Sequence, residues 1–259
     1  MNYIKNGVSQ ANLFLNIVGN YRLRPIFQNI QERLILKIIK YNKKLQNKLN
    51  LGIKDYKDYQ KIVIEIIPVK NKIGKFINID NKDNENFYHI YFNDDSKETK
   101  QTYINKDDQI NKIKIIIDYE IKNLNKLFFE CRCIERVNFI RCNRKDFTDM
   151  EDMFHNCESL KELNFNKNFN TDKVINMNGL IYRCSSLIKL NLNNFNTDNV
   201  TDMKYMFYRC YSLKELCVNN FRTNYDTEVR FMFTGCSREL QKEIENSNKN
   251  IKPDAFCWF

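Results

Sequence analysis

Apolar positions in the second half of the chain recur every 26 or 27 residues. Cys131, Cys157, Cys184, Cys210 and Cys236 form one column, and the same step links Leu124, Met150, Met177, Met203 and Val229. Two further columns run through Leu127, Met153, Leu180, Met206 and Met232, and through Phe128, Phe154, Ile181, Phe207 and Phe233. After the cysteines come Ile134, Leu160, Leu187 and Leu213, then Val137, Leu163, Leu190 and Leu216, and Phe169, Phe195 and Phe221 close three of the units. Within a unit, Met203, Met206, Phe207 and Cys210 fall at i, i+3, i+4 and i+7, which predicts one face of a short helix. Thr201 followed by Asp202 reads as its N-cap, and Thr148 with Glu151 as a capping box. Leu216 and Val218 alternate with polar residues, as in a half-buried strand. A unit of this size orders only when neighbours cover it. The pattern therefore predicts an α/β fold, a solenoid with a parallel β ladder on one side and short helices on the other. Ile113, Ile115 and Ile117 read as its first strand, and Ser237 to Glu245 as a closing helix with Leu240 and Ile244 turned inward.

Ahead of the repeats the periodicity changes. Leu13, Phe14, Ile17 and Val18 make one helical face, and Ile26, Phe27, Ile30, Leu34, Ile35, Ile38 and Ile39 continue the pattern after Pro25. From Lys61 to Ile67 and from Phe87 to Phe92 apolar residues alternate, which predicts strands. The expected organisation is a helical segment over 1–58, a small β-rich module over 59–112 and the repeat solenoid with its helical cap over 113–259.

The repeat unit Thr-Asp-Met-x-x-Met-Phe-x-x-Cys-x-Ser-Leu-Lys-x-Leu, followed by Asn-Phe-Asn-Thr, resembles the BspA-like leucine-rich repeats, first described in bacterial and mycoplasma surface lipoproteins. The resemblance covers residues 121–236 and implies a protein-binding solenoid without enzymatic activity. Leu23-Arg-Pro-Ile-Phe27, Leu34-Ile-Leu-Lys-Ile-Ile39 and Asn42-Lys-Lys-Leu-Gln46 resemble an F-box. That resemblance implies a substrate adaptor docking on a Skp-type subunit of a ubiquitin ligase.

Composition narrows the function classes. The 42% hydrophobic content is enough for a core, so a wholly disordered chain is excluded. The net charge of +10 is uneven: residues 1–75 hold 15 Lys and Arg against 4 Asp and Glu, whereas residues 76–259 hold 27 against 28. The basic segment has two readings, a solvated Lys-rich helical surface or a contact to nucleic acid or anionic membrane. The first twenty residues lack the apolar run of a signal peptide, and no stretch is long and apolar enough to span a bilayer. The nine cysteines follow no secreted-scaffold pattern. An intracellular, reducing, cytoplasmic setting is the expectation.

Catalytic chemistry finds little to work with. His89 and His155 are the two histidines, and neither has a Ser or Cys partner at a recognisable spacing. Cys131 and Cys133 lie too close together for the usual zinc pairing. Six glycines leave no phosphate loop. Neither enzyme activity, cofactor nor metal is expected. The outward strand column Arg136, Glu162, Lys189, Glu215 alternates in sign and neutralises itself. The outward helix columns carry His155, Tyr182, Arg183, Tyr205, Tyr208, Arg209 and Tyr211, side chains of the kinds that dominate interfaces. These seven are the candidate protein-binding residues.

Overall fold

A computed structural model describes residues 43–44, 57–79 and 81–256. The chain divides into two compact units, Met1–Tyr59 and Gln60–Phe259. In the first, the described residues 43–44 and 57–59 are helical. The remaining helical pattern over 10–52, and the F-box-like segments apart from Lys43 and Lys44, lie outside the described residues.

The second unit is built on β1 (Ile62–Pro68), β2 (Gly74–Lys75), β3 (Tyr88–Phe92), β4 (Glu98–Thr99), β5 (Tyr103–Ile104), β6 (Ile113–Ile117), β7 (Ile134–Arg141), β8 (Glu162–Asn164), β9 (Lys189–Asn191), β10 (Glu215–Cys217) and a helix, α1 (Arg238–Ser247). Eight strands form one mixed sheet in the order β10-β9-β8-β7-β1-β6-β3-β4. The α/β solenoid with a helical side, preceded by a separate β module, is therefore corrected: the fold is mostly β, and the sheet runs without a break from 62–117 into the repeats.

Two local features account for the difference. The first is β1. It pairs antiparallel with β6 on one side and with β7 on the other. Ile113, Ile115 and Ile117 are thus not the first rung of the parallel ladder, since β1 stands between them and it. Alternation tells which face of a strand is buried, but not which strand lies beside it. Ile62, Ile64, Ile66, Ile113, Ile115, Ile117, Tyr88 and Ile90 all turn to one buried face.

The second is the segment expected to be helical in each unit. It forms turns. Lys126 and Glu130, Asp152 and Asn156, Gly179 and Arg183, and Tyr205 and Arg209 take left-handed φ of 53–60°, four residues apart, which no α-helix accommodates. Alternate N–H groups close short turns within the unit, as in Met153 to Met150 O (3.4 Å) and His155 to Asp152 O (3.1 Å). The others leave for the next unit: Phe128 N donates to Met153 O (2.8 Å), Glu130 N to His155 O (2.7 Å), Phe154 N to Leu180 O (3.0 Å) and Arg183 N to Tyr208 O (2.7 Å). The polar residues read as helix caps serve the turns. Asp202 Oδ1 accepts from Lys204 N at 3.0 Å, and Thr201 Oγ1 donates to Ile175 O of the preceding unit at 3.1 Å.

Opposite the turns, β7 to β10 pair in parallel, with Arg136 opposite Glu162 and Glu162 opposite Lys189. Between sheet and turns lie the apolar columns. Phe128 stacks on Phe154 (5.1 Å) and Phe207 on Phe233 (5.4 Å). The cysteine column has a structural use: Cys157, Cys184 and Cys210 each donate their thiol to a carbonyl of the preceding unit, at 3.0, 3.1 and 3.0 Å. Burial pushes the thiols of Cys157 and Cys210 up, and that of Cys236 to about 12, so these three are poor nucleophiles. A second inner column is polar. Thr171 Oγ1 donates to Asn196 O and accepts from Asn196 N, both at 2.8 Å, and Thr197 does the same with Arg222 at 2.7 and 2.8 Å.

Both ends of the stack are closed. Asn78 donates its N–H to Leu127 O (2.8 Å) and its Nδ2 to Phe129 O (2.7 Å), the first unit's unmatched carbonyls. At the far end α1 starts on Ser237, whose side chain accepts from Leu240 N, and buries Leu240 and Ile244 as the sequence predicts. Beyond it Ala255 O accepts from Phe233 N, and Phe256 stacks on Phe233 at 5.1 Å.

Candidate binding surface

The turns give this fold an outward face with three columns of side chains. Successive units of a β stack are about 4.8 Å apart, so a ring at one position meets the ring at the same position in the next unit. Phe129 stacks on His155 (4.8 Å between centroids), His155 on Tyr182 (4.1 Å, 9° between planes) and Tyr182 on Tyr208 (4.9 Å). Tyr205 stands edge-on to Tyr182 and Tyr208, at 6.3 and 5.7 Å, and stacks on Phe231 at 5.3 Å. The Arg209 guanidinium lies 5.1 Å from the centre of the Tyr208 ring.

Six of the seven residues expected from sequence thus stand on adjoining units of one face: His155, Tyr182, Arg183, Tyr205, Tyr208 and Arg209. All six are half-buried, held by their neighbours rather than free in solvent. Tyr211 is 60% exposed and has no ring partner among the described residues. Phe231 was missed, although the repeat step of 26 from Tyr205 leads to it. Asp152 was also missed. Its Oδ1 lies 2.8 Å from His155 Nδ1, which fixes the imidazole flat against Tyr182. Gly179 makes room for this pair: its φ is +60°, and a Cβ there would come within 2.3 Å of Asp152 Oδ1. Tyr182 has its phenol pushed above the ordinary range, first by burial and then by Tyr208, so it remains a neutral hydrogen-bonding ring at physiological pH.

The electrostatics vary along the face. In the second unit Glu151 is raised by burial and then by Asp152 and Asp149. In the fourth and fifth, Lys204 is paired with Asp202 (3.2 Å) and Arg230 with Glu228 (3.5 Å). Arg183 and Arg209 have no carboxylate partner among the described residues. The strand face is neutralised: Arg136 meets Glu162 at 3.4 Å, and Lys189 bonds to Glu215.

The second histidine sits on the antiparallel part of the sheet. His89 has Glu98 Oε2 3.1 Å from Nδ1 and Asp118 Oδ2 3.2 Å from Nε2, so neither ring nitrogen is turned to a substrate. Glu98 is held below its ordinary 4.5, first by Lys100 (2.8 Å), against an opposing push from burial, with His89 adding to the lowering. A carboxyl lowered in the folded state contributes stability above its unfolded value and loses it as pH falls through the folded value. Glu98→Gln is therefore expected to flatten the fall of melting temperature with pH below about 4.5, read from melting curves across an acidic series. An unchanged acid limb would remove Glu98 from the balance.

Among the described residues no group of three His, Cys, Asp or Glu side chains is placed to hold a metal ion, and no helix is long and apolar enough to cross a membrane. Residues 122–247 match the family described as Mycoplasma protein of unknown function, DUF285. No curated protein and no solved structure matches the chain.

Proposed function

We propose that this chain is a non-enzymatic interaction module and that the outward face of its turns binds a protein partner. The observation that carries the reading is the continuous aromatic stack Phe129-His155-Tyr182-Tyr208, with Tyr205 and Phe231 beside it and, along its edge, two guanidinium groups with no carboxylate partner among the described residues. Rings fixed by their neighbours lose little conformational freedom on binding, and Tyr and Arg supply most of the energy at interface hot spots. The resemblance of the units to BspA-like repeats points the same way. The described cysteines are free, seven of the eight fully buried, which suits an intracellular, reducing setting.

The test is joint replacement of Tyr182, Arg183, Tyr208 and Arg209 by alanine, with quantitative affinity capture from the native cell. Losing a hot-spot cluster should lower recovery of a specific partner by about tenfold or more. Circular dichroism must show that the variant remains folded. Equal recovery by the folded variant rules out this face.

A further inference from the structure

We infer that the partner segment seated on this face is acidic, with carboxylates over Arg183 and Arg209 and an apolar side chain on the Tyr205–Phe231 pair. This rests on the reading of the turn face as a protein-binding surface. Where charged side chains meet across neighbouring units, opposite signs recur: Lys161 with Glu135 at 3.3 Å, Lys145 with Asp172 at 3.4 Å, Arg136 with Glu162 at 3.4 Å, Arg132 with Glu158 at 3.9 Å, and Lys189 with Glu215. The column containing Arg183 and Arg209 departs from that habit. It begins with Glu130 and Asn156, which hydrogen-bond to each other at 3.3 Å, and continues with two arginines on adjoining units. Their backbones are tied by the bond from Arg183 N to Tyr208 O at 2.7 Å.

Like charges directly opposite each other on neighbouring strands are destabilising. Lys204 and Arg230, in the next column, do not create this problem, since each is neutralised within its own unit. Among the described residues, the positive charge of the face that no carboxylate offsets is therefore concentrated on Arg183 and Arg209, carried by adjoining units whose backbones lie about 4.8 Å apart. A carboxylate accepts two parallel N–H bonds from one guanidinium, which lysine cannot offer. The Tyr208 ring under Arg209 supports that guanidinium from below.

The rest of the face sets limits on the ligand. Asp149, Glu151 and Asp152 gather on the second unit, where burial and then the two aspartates raise Glu151, and they would repel an acidic segment extended in that direction. The ligand's acidic residues are thereby confined to the third and fourth units. The Tyr205–Phe231 stack at 5.3 Å lies beyond them, towards the fifth. Nucleic acid fits poorly, because a phosphate backbone running the length of the face would pass the clustered carboxylates of the second unit.

The experiment is selection of a displayed library of random linear peptides on the full chain, in parallel with its Arg183→Gln/Arg209→Gln variant. The expected result is enrichment of Asp and Glu beside an aromatic or aliphatic residue on the natural chain, absent on the variant. The best peptide, synthesised with a fluorescent label, should bind the variant at least about tenfold more weakly and should weaken as salt rises. Its Glu→Gln counterpart should lose affinity for the natural chain to the same degree. Peptides selected without acidic enrichment, yet lost in Tyr182→Ala/Tyr208→Ala, would overturn the acidic assignment and leave the binding surface standing. Peptides indifferent to both double variants would overturn surface and assignment together. Self-association of the natural chain by sedimentation, abolished in the arginine variant, would assign the face to a second copy and overturn the peptide.

Discussion

Phe169→Ala should lower the unfolding free energy by about 3–5 kcal/mol, the usual range for truncating a fully buried phenylalanine. Phe169 is 1% exposed, and its ring touches Phe165 (4.8 Å), Phe139 (5.1 Å), Phe195 (5.6 Å) and Phe147 (5.8 Å). Those four belong to three successive units, so the cavity would sit at a shared junction. The lost term includes both transfer of the ring and the edge-to-face and stacked contacts, worth about 0.5–1.5 kcal/mol per pair beyond burial. Domains are typically stable by about 5–15 kcal/mol, so the substitution removes a large part of the total. Urea unfolding measures it as a lower midpoint at unchanged slope. A loss below about 1 kcal/mol, far under the cavity range, would show that the units cohere without this cluster.

Thr197→Val tests the polar column. The side chains are nearly the same shape, yet valine removes a hydroxyl that donates to Arg222 O at 2.7 Å and accepts from Arg222 N at 2.8 Å. Two backbone groups lose their partner beside a side chain that is 0% exposed. At about 1–3 kcal/mol for each group left unpaired, less where water reaches it, the loss should be about 2–4 kcal/mol. Thr197→Ser keeps both bonds and gives up one methyl, worth about 0.8 kcal/mol. The valine variant should thus melt well below the serine variant. The reverse order would mean that packing of the methyl, and not the bracket across Arg222, is what selects threonine.

The inward residues were legible in the sequence and the backbone that carries them was not. Met203, Met206, Phe207 and Cys210 are all buried, as helical spacing demands. A pair of left-handed turns four residues apart presents the same positions inward, so the apolar pattern cannot tell the two apart. The usual marker of such turns is glycine or asparagine. Here Lys126, Glu130, Tyr205, Arg209 and Phe231 occupy left-handed positions at φ of 54–60°. Bonds from neighbouring units hold them there, and one unit's sequence carries no trace of those bonds. The closing helix was legible because its cap, Ser237, and its apolar stripe lie within one local segment. The insertion of β1 was not, because strand order depends on contacts between residues far apart in the chain, as between Ile64 and Phe139. At the candidate surface the stacked column was readable by counting in steps of 26, whereas Asp152, Gly179 and Phe231, which share the column of Tyr205, take their roles from contacts between side chains that spacing alone does not reveal.

Inside the turns the bonds between units run in one direction, from N–H groups such as those of Phe128, Phe154 and Arg183 to the unit that follows, whereas just ahead of the turns Ile175, Thr201 and Glu228 give theirs to the unit before. The stack therefore has two chemically distinct ends, one presenting bare acceptors and one presenting bare donors. Asn78 supplies donors to the first, and Ala255 an acceptor to the last. Neither terminus can substitute for the other, yet the same turn bonds recur at the junctions between them. Such a chain can change its copy number by duplicating or losing whole units, keeping both closures intact, and with each change it lengthens or shortens the aromatic row that it displays.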